Sequence, residues 1–136
     1  MISKINHVAV AVKSIAEARQ FYEQGLGLVM SAIEEVPSQK VRVAFFQIGE
    51  VKIELLEPAS DDSAVAKFLE AKGPGLHHVC YETASVADGI ARLSAQNVPL
   101  IDKAPRPGAH GTTVAFVHPK GTGGVLTELC ELGKGG

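Results

Sequence analysis

Residues 5–12 read INHVAVAV and residues 76–83 read LHHVCYET, one strand pattern with a histidine near its head, written twice. His7 and His78 are 71 residues apart, and Val43-Ala44-Phe45 keeps the same offset to Val114-Ala115-Phe116. Working outward, each copy runs into a helix pattern. Further strand patterns follow, VRVAFFQIG (41–49) and VKIELLE (51–57) answering to TTVAFVHPK (112–120) and VLTELCE (125–131). Glu54 and Glu128 are 74 residues apart; the three extra residues fall in the loop 118–124, where insertion costs little entropy. A duplicated β-rich unit that sets one His and one carboxylate on paired strands has the parts for a metal site between its halves.

The repeated order β-α-β-β-β predicts an α+β fold. Two tandem βαβββ modules, about 3–58 and 75–131, are joined by a helical linker into a single domain, 1–136. One such unit leaves bare edges and an uncovered face. Two units side by side predict one curved, half-barrel-like mixed sheet with helices outside and a cleft inside. In detail, Ser14 opens S-I-A-E as a capping box for a helix that stops near Gly25. Strands are predicted at 28–36, 41–48 and 51–57, with Gly49-Glu50 as a tight hairpin. The linker 59–75 carries a short amphipathic helix at 63–71, and Ser85 opens a second-half helix through Ile90 and Leu93. VPLIDKA (98–104), TTVAFVH and GVLTELCE are read as the closing strands, with a frayed LGKGG tail.

Composition sets bounds on function. The chain has 136 residues, 46% hydrophobic and 21% charged, enough for one sizeable core. A net charge of −2 gives no electrostatic footprint for nucleic acid or an anionic membrane, and Trp is absent. No apolar run is long enough to span a bilayer. MISKINHV enters a strand pattern at once and is read as carrying no signal peptide. Two cysteines, Cys80 and Cys130, make neither a disulfide framework nor a CxxC site, so a cytoplasmic protein is expected.

The candidate metal ligands are His7, Glu54, His78 and Glu128. Two imidazoles and two carboxylates suit a divalent ion of intermediate hardness, Co, Mn, Ni, Fe(II) or Zn. Taken singly, a strand His or Glu is ordinarily structural; recurrence of both at equivalent points of two units is what raises them together. His7 shares its strand face with Ala9 and Ala11, and small neighbours leave room for an ion and a ligand. His77 points to the opposite face and is read as structural, His118 as a hydrogen-bonding turn residue. His110, in the Gly-flanked stretch 107–111, is read as touching substrate. Cys80 and Cys130 are read as small core residues, and Lys40, Arg42, Lys103, Arg106 and Lys120 as solvated charges.

These residues resemble the vicinal oxygen chelate superfamily and, within it, the methylmalonyl-CoA epimerase family, over residues 3–131. The HVAV start marks only the superfamily. DSAVAKFLE (62–70), GLHHV (75–79), HPKG (118–121) and GVLTEL (124–129) are more specific. The resemblance implies metal ligation by His7, Glu54, His78 and Glu128, cobalt first among the candidate ions. It also implies a homodimer, an acyl-CoA substrate, and 1,1-proton transfer through a metal-chelated enolate between (R)- and (S)-methylmalonyl-CoA. Inversion needs an acid/base group on each face of that planar intermediate. The resemblance puts one at Glu128. Some members carry a second Glu in the strand VRVAF, where this chain has Val43. Glu35, Gln39, Glu57 or a metal-bound water stay open for that role. Two alternatives stand beside this reading. One is a glyoxalase I-type lactoylglutathione lyase, which resembles it in donor set; the other is a non-catalytic drug-sequestering relative, which needs no metal set.

Overall fold

The computed structural model describes residues 1–133. The chain forms two compact units, His7–His77 and Met1–Asn6 together with the chain from His78 onward. Strand β1 (Ile2–Ala11) contributes its first five residues to the second unit and His7–Ala11 to the first.

In the first unit β1 is followed by α1 (Ile15–Arg19), β2 (Met30–Val36), β3 (Val41–Ile48), β4 (Val51–Pro58) and α2 (Ala64–Lys72). The strands lie in the order β2-β3-β4-β1, with β1 parallel to β4 and the other pairs antiparallel. Alternation divides the sheet into two faces. Val12, Ala44, Phe46 and Leu55 pack under Ile15 of α1, with Ala18 and Tyr22 against them. His7, Ala9, Ala11, Val43, Phe45, Glu54 and Leu56 alternate with these and occupy the opposite face. A β-bulge between Met30 and Ala32 breaks the register of β2 on β3. Met30 pairs with Phe46 and joins the helix-side core; beyond the bulge Ala32 pairs with Phe45 and Glu34 with Val43.

The first helix is shorter than its periodicity predicts. After Arg19 the chain widens into a π-turn, Gln20–Gly25, and the Leu26 amide donates to the Phe21 carbonyl. The ring of Tyr22, within this turn, stacks on Phe46 at 5.5 Å between centroids. The linker helix forms as expected, with Ser63 Oγ accepting from the Ala66 amide at 3.0 Å.

The second unit contains β5 (Gly75–Thr83, entering the unit at His78), α3 (Val86–Ala95), β6 (Arg106–Pro107), β7 (Thr113–Val117) and β8 (Thr127–Glu131). Its order is β1-β5-β8-β7-β6, and β5 lies parallel to β8 as β1 does to β4. Val86, Ile90, Ala115 and Leu129 form the helix-side core. At Gly89 a Cβ would stand 2.8 Å from Leu129 Cδ1, so a larger residue there would make that side chain shift to keep α3 this close to β8. Cys80, Val114 and Cys130 are buried on the other face.

The strand expected over 98–104 does not form. Only Leu100 bridges to Val117, and the Ile101 and Asp102 amides both donate to the Phe116 carbonyl. The Asp102 carboxylate takes the Phe116 amide at 2.8 Å, a place that a strand carbonyl would fill. Pro99 and Pro105 remove two further ladder donors. Arg106–Pro107, paired with Val114 and Thr113, supplies the missing edge strand.

Duplication extends to the helix starts. Ser14 Oγ accepts from the Glu17 amide, and Ser85 Oγ from the Asp88 amide. A glutamate ending the last strand of each half bonds the first helical amide, Glu57 to Ile15 and Glu131 to Val86, each at 2.9 Å. We expect Glu57→Ala and Glu131→Ala each to lower unfolding free energy by about 1–2 kcal/mol. Urea denaturation measures this, and Glu50→Ala, in the exposed hairpin, serves as the silent control.

Candidate metal centre

Each unit buries one imidazole–carboxylate pair across its parallel strands. In the first, His7 on β1 places Nδ1 2.9 Å from Glu54 Oε2 on β4, and both residues are 6% exposed. In the second, His78 on β5 places Nε2 2.8 Å from Glu128 Oε1 on β8, both at 4%. A carboxylate only accepts, so without a cation the facing ring nitrogen carries the proton, Nδ1 in His7 and Nε2 in His78.

The surroundings are small or apolar. Ala9 is the register partner of Glu54, and Cys80 that of Glu128; both are fully buried. Phe45 faces Glu54 and Phe116 faces Glu128 on the adjoining antiparallel strands. The Phe116 ring meets His78 edge to face, 5.2 Å between centroids at 84°. Both cysteines are buried and pack with Val114.

His77 lies on the other side of β5, its ring against Phe68 at 4.9 Å, in the structural role expected. His118 Nδ1 accepts from the Lys120 amide at 3.1 Å within its turn. His110 has φ 54°, the left-handed region that few non-glycine residues adopt. Arg106 was read as a solvated charge, yet its side chain is 34% exposed. Its guanidinium sits 5.4 Å from the Phe116 centroid, with Nε 3.2 Å from Asp102. The four-residue spacing of Asp102 and Arg106 was the available signal. Of the residues left open for a second acid/base, Glu57 bonds the Ile15 amide and Arg42, and Glu35 is the register partner of Arg42. Both therefore belong to the helix side of the sheet.

Each pair offers an imidazole nitrogen and carboxylate oxygens, donors that suit a divalent ion. Buried carboxylates and imidazoles are costly unless paired or ligating, and a cation can replace the proton that each N···O pair shares. None of the four belongs to the apolar clusters under α1 and α3.

Paired βαβββ halves, each with its first strand parallel to its last, are the architecture of the glyoxalase-like class of α+β proteins. The chain belongs to the Glyoxalase/Bleomycin resistance protein/Dioxygenase superfamily, whose profile matches residues 6–116. It is 50% identical to an uncharacterised Bacillus subtilis protein, YqjC, over 96% of this chain and 93% of that protein. It is 39% identical to the ethylmalonyl-CoA/methylmalonyl-CoA epimerase of Cereibacter sphaeroides, covering 95% of this chain and 98% of the relative. The structure of a methylmalonyl-CoA epimerase in complex with methylmalonyl-CoA and NH4+ superposes with a TM-score of 0.94 at 33% identity. It covers 98% of this chain and 97% of that one.

Phe116 joins the second pair to its surroundings. Phe116→Ala removes a ring that both His78 and Arg106 meet, and we expect a loss of about 3–5 kcal/mol in unfolding free energy by chemical denaturation.

Proposed function

We propose that the protein is a metal-dependent epimerase that interconverts (R)- and (S)-methylmalonyl-CoA by 1,1-proton transfer. The observation that carries this reading is the duplicated buried pair, present in a chain whose 39%-identical relative is named for this activity. In this reading His7, Glu54, His78 and Glu128 together hold one divalent ion, cobalt first, with Mn, Ni, Zn or Fe(II) as alternatives. When bound, such an ion supplies Lewis-acid stabilisation of the negative charge that develops on the acyl group.

The chain's own groups do the rest. One Glu128 oxygen is held by His78, and a carboxylate has a second that can exchange a proton with C2 of the acyl group. Buried neighbours such as Ala9, Cys80 and Phe116 keep water from competing for that proton. The same reading places the enzyme in the cytoplasm as a homodimer. Edge strands β2 and β6 leave backbone groups for pairing, and among the described residues no helix is long and apolar enough to cross a membrane.

Protein loaded with cobalt is expected to incorporate deuterium at C2 of methylmalonyl-CoA in heavy water, and chelator to abolish this. Bound metal with no uptake, but turnover of the methylglyoxal–glutathione hemithioacetal, would replace the epimerase with a lactoylglutathione lyase. Metal titration by calorimetry is expected to give one ion per chain. His7→Ala, Glu54→Ala, His78→Ala and Glu128→Ala should each weaken binding by about tenfold or more.

A further inference from the structure

We propose that Glu34 is the second acid/base, the group that exchanges a proton with C2 on the face opposite Glu128; this rests on the epimerase reading. Inversion through a planar enolate requires a proton donor or acceptor on each face, and one carboxylate cannot serve both.

Three observations converge on Glu34. First, the β-bulge between Met30 and Ala32 turns the rest of β2 over. Glu34 becomes the register partner of Val43, on the face that carries Phe45, Glu54 and His7. Bulges of this kind re-aim side chains beside active sites. Second, Glu34 is half-buried, while its neighbours Ile33 and Glu35 are exposed. Apart from Glu54, every other carboxylate of the first unit lies on a helix, in a turn or on the helix side of the sheet. Third, the duplication supplies an internal comparison. Val43 corresponds to Val114, and the register partner of Val114 is Arg106. Arg106, at the position equivalent to Glu34, reaches the ring of Phe116 beside His78. An edge-strand side chain at this register therefore extends over the face that holds the imidazole–carboxylate pair.

Two strand spacings and two residues separate Glu34 from Glu54, about 12 Å between Cα atoms. That leaves width for an acyl group between them, floored by Ala32, Val43 and Phe45. In one direction the Glu34 carboxylate accepts the C2 proton, and the C–H electron pair passes into the thioester as an enolate. Protonated Glu128 then donates to C2 from the opposite face and the C–H bond re-forms. The reverse reaction exchanges the roles. Each turnover leaves Glu34 protonated and Glu128 bare, or the converse, and exchange with solvent resets them.

The test uses full-length, metal-loaded Glu34→Gln with methylmalonyl-CoA of each configuration in heavy water. Inversion is followed by chiral assay and C2 deuterium by mass spectrometry. We expect inversion to fall by about 100-fold or more. Exchange of the C2 proton survives from the configuration served by Glu128 and is lost from the other. Glu34→Asp restores part of the inversion, Glu35→Gln is unchanged, and melting temperature and metal content match the wild type. Inversion by Glu34→Gln within about threefold of wild type, or loss of exchange from both configurations, overturns the proposal. A wild-type protein that neither exchanges nor inverts this substrate removes the epimerase reading itself, and Glu34 with it.

Discussion

A strand shows only every second side chain to a given face, and this protein depends on that constraint in every strand that matters. Val10, Val12, Leu55, Ala44 and Phe46 go to the helix, while Ala9, Ala11, Glu54 and Phe45, their immediate neighbours, cannot. The hydrophobic effect, acting through α1 and α3, fixes one face of the strands in each unit. The other face then receives whatever stands between the apolar residues. Glu54 falls on that other face because its neighbour Leu55 packs under α1. The same holds for Glu128, whose neighbour Leu129 serves the core under α3.

This is also why so much was legible in the sequence. Alternation in INHVAVAV and LHHVCYET gives the strands, the faces and the place of each histidine, and duplication supplies the partner carboxylates. The pairing of His7 with Glu54 and of His78 with Glu128 follows once β1–β4 and β5–β8 are neighbours. What escaped were features in which side chains compete with the backbone ladder. Nothing local marks that the Asp102 carboxylate would take the Phe116 amide and turn VPLIDKA out of the sheet. The π-turn after Arg19 was hidden for a related reason, since its benefit is a tertiary one, the ring of Tyr22 on Phe46. The bulge in β2 was invisible because a one-residue slip leaves composition and hydropathy unchanged. With it went the faces of Glu34 and Glu35.

The two units have kept their frame and diverged in what they hang on it. Glu57 and Glu131 perform the same capping task on the two helices. The paired histidines, in contrast, meet their carboxylates through different ring nitrogens, Nδ1 in one unit and Nε2 in the other. Edge strands diverge further, one bearing an acid and the other a guanidinium at the same register. Duplication thus supplies matching scaffolds that carry unlike residues at matching points.

The bulge at Ser31 gives length the force of identity. In most of a sheet, altering chemistry means exchanging one amino acid for another. Along β2, removing a single residue would change the side on which Met30 and the residues before it lie relative to Ala32 and Glu34, without rewriting any of them. Chains of this fold that differ by one residue there can thus carry the same letters and address different atoms. Alignments that absorb such a gap silently will pair side chains that never occupy the same side of the sheet.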